Sequence, residues 1–140
     1  MARGYPDHEG DKSGLYEKPE WAAFEGKDKN FYDVANNKAS GLSVSESYVV
    51  PAGKTLYITS FSFICIAAAV ADRDLNQMCY GWIHDGDLAS TIWSQGGNGG
   101  GFATFSKPLV FAAGNTVSFA CTNYANHNCN LAVSANGYEV

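Results

Sequence analysis

The chain has 140 residues, 46% of them hydrophobic and 16% charged, with a net charge of −5. That length holds one domain with a single core. An acidic chain without a basic cluster is a poor match for a phosphate backbone, and its longest apolar stretch, Phe61 to Ala71, is too short to cross a bilayer, so neither nucleic acid nor membrane is expected as a partner.

Residues 1–38 carry 14 of the 23 charged side chains. Pro6, Pro19 and several glycines are spread among those charges, together with the aromatic residues Tyr5, Tyr16, Trp21, Phe24, Phe31 and Tyr32. A solvated tail is poor in aromatics. The segment therefore reads as an extended N-terminal arm, with these six residues as docking anchors and one helical turn over 20–25 behind Pro19. Its removal is expected to leave the rest of the chain folded. No apolar run follows Met1, so no signal peptide is expected and synthesis in a cytoplasm is inferred.

From residue 39 onward the hydrophobic period becomes two, and a β domain is predicted over 39–140. Leu42, Val44 and Tyr48 open a first strand, and Val49 to Lys54 turns the chain. Thr55 to Ala67 makes a long strand whose apolar residues share one face only if a bulge falls near Ser60. Asp72-Arg73-Asp74 marks a loop, Gln77 to His84 a strand, Asp85-Gly86-Asp87 a turn and Leu88 to Ser94 another strand. The glycine run over 96–101 predicts a loop, because glycine loses the most backbone entropy on ordering. Phe102 to Phe111 is a strand whose Pro108 points to an edge or a bulge. Ala113-Gly114-Asn115 turns into a strand over Thr116 to Thr122. A second turn over 123–128 leads into Cys129 to Val140.

Centring that last turn on Ala125 makes a hairpin in which Cys121 faces Cys129, Phe119 faces Leu131 and Val117 faces Val133, all on one side. Seven or eight short strands at this spacing predict an all-β, jelly-roll-like antiparallel β-sandwich. The segment Val50 to Ile58 echoes Phe111 to Phe119: an apolar residue, a glycine turn, Thr, then alternation. Shared turn chemistry accounts for it.

Chemistry-bearing residues are sparse. The segments Asp72-Arg73-Asp74 and His84-Asp85-Gly86-Asp87 offer carboxylate oxygens for Ca²⁺, yet their spacing matches no EF-hand loop and ordinary Asp turns explain them. Cys121, His127 and Cys129 lack the spacing of a zinc knuckle. No metal and no other cofactor is expected. The four cysteines (Cys65, Cys79, Cys121, Cys129) read as free buried thiols, with a Cys121–Cys129 disulfide left open. Only His84 and His127 could serve a nucleophile as base, and no nucleophile elbow is present, so no enzymatic activity is expected. Tyr80, Trp82 and Trp93 form a possible ligand surface for sugar stacking; core or interface packing is the simpler account of the two tryptophans.

The words Val-Pro-Ala-Gly-Lys-Thr-Leu (50–56), Pro-Leu-Val-Phe-Ala-Ala-Gly-Asn-Thr-Val (108–117) and Val-Ser-Ala-Asn-Gly-Tyr-Glu-Val (133–140) resemble small jelly-roll proteins of tailed-phage particles. The opening Ala2-Arg3-Gly4-Tyr5-Pro6-Asp7 is similar to the start of some small proteins carried by phages. The resemblance covers residues 43–140 by pattern and 2–7 by wording. It implies a structural virion protein: a capsid decoration (cement) protein that binds and stabilises a phage head through its arm and an oligomeric β domain, or a minor capsid protein. It further implies a homotrimer, with the major capsid protein or other virion subunits as partners, and localisation in a virion assembled in the host cytoplasm. Two rival readings are a carbohydrate-binding fibre or tail attachment module and a self-assembling coat protein.

Overall fold

The computed structural model describes residues 27–86 and 90–140. The strands are β1 (Lys27–Lys38), β2 (Ser43–Val49), β3 (Leu56–Ala67), β4 (Met78–Asp85), β5 (Ser90–Asn98), β6 (Gly100–Phe111), β7 (Thr116–Asn123) and β8 (Cys129–Glu139), with a 3-10 turn at Val70–Asp72. They form two antiparallel sheets, ordered β1-β8-β3-β6 and β2-β7-β4-β5. This is the eight-stranded jelly roll, in which every connection but β4–β5 crosses from one sheet to the other and both sheets share one core.

Period-two patterning builds that core. Leu56, Ile58, Phe61, Phe63 and Cys65 of β3 are all buried, and the β3 register shifts between Ile58 and Ser60 against both neighbours. The bulge near Ser60 thus restores the parity of the strand. From the other sheet come Cys79 and Ile83 of β4 and Val117, Phe119 and Cys121 of β7. β6 is an edge strand. Its ladder to β3 breaks between Leu109 and Thr104, so Pro108 falls where no ladder hydrogen bond is needed.

The echoed segments lie side by side. Lys54 N–H bonds Pro51 O at 3.1 Å, and Asn115 N–H bonds Ala112 O at 3.1 Å. Gly53 and Gly114 take φ of 77° and 87°, as the third position of a type II turn requires. Val50 N–H reaches Asn115 O, and Gly114 N–H reaches Val50 O, so each turn braces the other.

Three expectations change. First, Lys27–Lys38 of the expected arm is a sheet strand, paired with β8 from Lys27↔Glu139 to Lys38↔Cys129. Phe31, expected as an arm anchor, is buried against Phe119 (ring centroids 4.9 Å) and Tyr48 (5.2 Å). Charges at Lys27, Asp28, Lys29 and Asp33 obscure the alternation, and charges on an edge strand are how sheets avoid unwanted pairing. Tyr32, the next anchor, does face outward. Tyr5, Tyr16, Trp21, Phe24 and the turn over 20–25 lie outside the described residues.

Second, residues 96–101 are not a loop: Gly96, Gly97 and Asn98 are the last residues of β5, Gly100 and Gly101 begin β6, and the chain changes sheet at Gly99. Space explains the composition. A Cβ on Gly101 or on Gly81 would run into the Phe63 ring, and one on Gly100 (φ 137°) into the β3 backbone.

Third, β7 and β8 are not a hairpin; they lie in opposite sheets. Val117, Phe119, Cys121, Cys129, Leu131 and Val133 still all point inward, because parity is a local property while pairing is not.

Candidate functional site

The four buried cysteines meet at one end of the core. Cys65 and Cys129 come from neighbouring strands of one sheet, Cys79 and Cys121 from neighbouring strands of the other. Hydrogen bonding with the Cys79 thiol, then burial, drive the Cys65 thiol far up. Hydrogen bonding with Cys121 pushes Cys79 up to about 12, and burial pushes Cys129 up to about 12. Neutral thiols sealed from solvent behave as small hydrophobes. All four are free, so Cys121 and Cys129 are not bonded. Among the described residues, no three of His, Cys, Asp and Glu gather as a metal-binding group. Asp85 instead accepts a hydrogen bond from Asn115 Nδ2 at 3.3 Å.

What the fold exposes is two contrasting sheet faces. The outer face of β1-β8-β3-β6 is built in rows across four strands. Tyr32, Ser134, Ser62 and Phe102 form one row; Val34, Ala132, Ile64 and Gly100 form the next. Tyr32 is 66%, Phe102 65% and Ile64 55% exposed. Ser134 and Ser62 separate Tyr32 from Phe102 in the first row, and Ile64 stands next to Phe102 in the second. Neither row carries a charge.

The outer face of β2-β7-β4-β5 is different. Ser43, Thr122, Tyr80 and Gly96 share a row; Ser45, Ala120, Trp82 and Ser94 form the second; Ser47, Ser118, His84 and Thr91 form the third. The β7 residues Ser118, Ala120 and Thr122 are buried, so they floor a groove between the β2 serines and the β4 rings. Ser43, Ser45, Trp82, His84, Ala120 and Thr122 line a hollow of about 210 Å³. It exists because Ala120 has no side chain beyond Cβ. Trp82 Nε1–H donates to Thr122 Oγ1 at 3.2 Å, and Ser43 Oγ and Thr122 Oγ1 share a bond of 2.7 Å. The Trp82 ring lies 5.7 Å from Tyr80 and 5.8 Å from His84, the latter stacked at 19°. Burial holds the His84 imidazole below its usual range.

The suggested ligand surface therefore divides. Tyr80 and Trp82 share the outer face, whereas Trp93 points into the core and packs on Phe61 (5.3 Å), Phe105 (5.9 Å) and Phe63 (6.5 Å). Trp93 pairs with Ile83, one residue from Trp82, and one residue along a strand is the opposite face. The groove residues Ser43, Ser45, Ala120 and Thr122 were missed, and His84 was weighed only as a base or a metal ligand. Alternating Ser43-Ser45-Ser47 and Tyr80-Trp82-His84 were readable as faces, but nothing in the sequence sets β7 between them.

No helix among the described residues is long and apolar enough to cross a membrane. No protein-family model and no curated protein matches this sequence.

Proposed function

We propose that the protein is a structural virion component of the decoration or cement type, a homotrimer that reinforces a phage head. One observation carries this reading: two adjacent uncharged rows on the outer face of β1-β8-β3-β6, in which the apolar side chains Tyr32, Ile64 and Phe102 are exposed. Exposed apolar surface of this kind, in a chain whose other sheet has a polar exterior, marks a contact between proteins. The occupant is a second copy of the chain, with major capsid protein or other virion subunits beyond it. The residues preceding β1 join the sandwich at Lys27, beside Glu139 near the C-terminal end of β8. Tyr5, Tyr16, Trp21 and Phe24 would then engage the shell from one end of the body. Three linked contacts raise the effective concentration of each and so the avidity.

Light scattering behind size exclusion tests the reading, with co-sedimentation on particles as its second arm. The expected mass is three times the 15.0 kDa of the chain. Ile64→Lys and Phe102→Asp, both at exposed positions, should reduce it to one chain without lowering the melting temperature. A wild-type protein that stays monomeric and does not sediment with particles would overturn the proposal.

A further inference from the structure

The groove on the opposite sheet is not needed for that contact. We infer that it is a binding site for a neutral saccharide, taking one sugar ring against Trp82.

Its chemistry selects this class. The outward positions of all four strands hold no Asp, Glu, Lys or Arg: Ser43, Ser45 and Ser47 on β2, Thr116, Ser118, Ala120 and Thr122 on β7, Met78, Tyr80, Trp82 and His84 on β4, and Thr91, Ser94, Gly96 and Asn98 on β5. The one titratable imidazole, His84, is turned toward Thr91 and sits among Ser118, Trp82 and Thr91, none of them charged. A neutral site on a chain of net charge −5 offers nothing to an anion. Single-stranded nucleic acid uses aromatic platforms too, but beside cationic tracks that are lacking here.

A sugar ring has an apolar C–H face and a rim of hydroxyls. The hollow pairs an indole with exposed serine hydroxyls, which donate and accept in turn. Ser43 and Thr122 spend one bond on each other and keep capacity for another, while Ser45, opposite Ala120, faces the open part of the hollow. About 210 Å³ is below the roughly 300–1,000 Å³ of drug-sized pockets, which suits one ring of a longer chain rather than a whole oligomer. Beyond it stand Tyr80 of β4 and Tyr124, just past the end of β7, whose ring meets Tyr80 edge-on at 5.3 Å.

The test is titration of the full-length protein with neutral oligomers of glucose, mannose and N-acetylglucosamine, followed by NMR at the Trp82 indole N–H. Heparin serves as the anionic control. At least one neutral oligomer should bind with a dissociation constant of about 1 mM or tighter. Trp82→Ala should weaken it by about tenfold or more, as loss of a stacking anchor does. Ser45→Arg, at an exposed edge position, should block the hollow without touching the core, which keeps the test open if Trp82→Ala fails to fold. Silence of the Trp82 resonance with every neutral oligomer, unchanged affinity in Ser45→Arg, or preference for heparin would overturn the inference. None of these outcomes depends on the oligomeric state, so the two proposals fail separately.

Discussion

Tyr48 of β2 donates its hydroxyl hydrogen to Glu139 of β8 at 2.7 Å, joining the two sheets through a carboxylate that is only 7% exposed. Lys29 completes the arrangement, 3.6 Å from Glu139 and 4.8 Å from the Tyr48 ring centre. Its ammonium is held above its usual range, chiefly by Tyr48. Tyr48→Phe keeps the ring against Phe31 but leaves Glu139 short of one donor. Such a loss costs about 1–3 kcal/mol. Urea unfolding should show that drop with an unchanged m-value.

His84 makes stability depend on pH. Burial lowers its folded pKa below the ordinary 6.5. As pH falls through that value the unfolded chain takes up a proton that the folded one refuses. The His84 contribution is therefore intact above about pH 6.5 and declines below it. Asp85 lies on the other face of β4, opposite Val117, and does not pair with the ring. Melting temperatures of wild type and His84→Gln, compared between about pH 7 and pH 5, should converge as pH drops.

Gly81 and Gly101 are set by the Phe63 ring they flank. Gly81→Ala inserts a methyl group into a fully buried site and should cost about 1–3 kcal/mol as overpacking. Replacing Gly114 with Ala should also destabilise, for a different reason: its φ of 87° disfavours any side chain although the space is open. Thermal denaturation of the two variants, with and without Phe63→Leu, separates the causes. Only the Gly81 penalty should shrink.

The four thiols should be silent toward an aromatic disulfide reagent in the native protein and all react after denaturation. Reaction requires thiolate and access, and the raised pKa values and burial deny both. Rapid native labelling of any one would show that this end of the core opens locally.

Truncation tests whether β1 belongs with the body rather than with the expected arm. Deleting residues 1–26 should leave the sandwich folded. Deleting 1–38 removes β1, uncovers Phe119 where Phe31 stacks, and leaves Asn123 without the Lys38 carbonyl that its amide reaches at 2.9 Å. Asn123 is fully buried and also ties the His127 carbonyl (2.9 Å) and the Ala125 N–H (2.8 Å). The longer deletion should therefore give no cooperative transition in circular dichroism.

Local chemistry was legible in the sequence: strand parity, the bulge near Ser60, the glycine turns at Gly53 and Gly114, and the edge or bulge at Pro108 all follow from the nearest few residues. That is enough to predict an all-β sandwich and its core, because the side chain of each strand residue alternates sides whatever its neighbour. Which strand lies beside which is a long-range matter. Backbone hydrogen bonds are alike at every pairing, so only the packing of both sheets together selects β1-β8-β3-β6 and β2-β7-β4-β5 over a β7–β8 hairpin. That selection brought charged Lys27–Lys38 into the sheet through Phe31, turned Trp93 inward from Trp82, and set Ala120 as the floor beneath Trp82 and Ser45. The faces belonged to the sequence; the groove between them belonged to the tertiary structure.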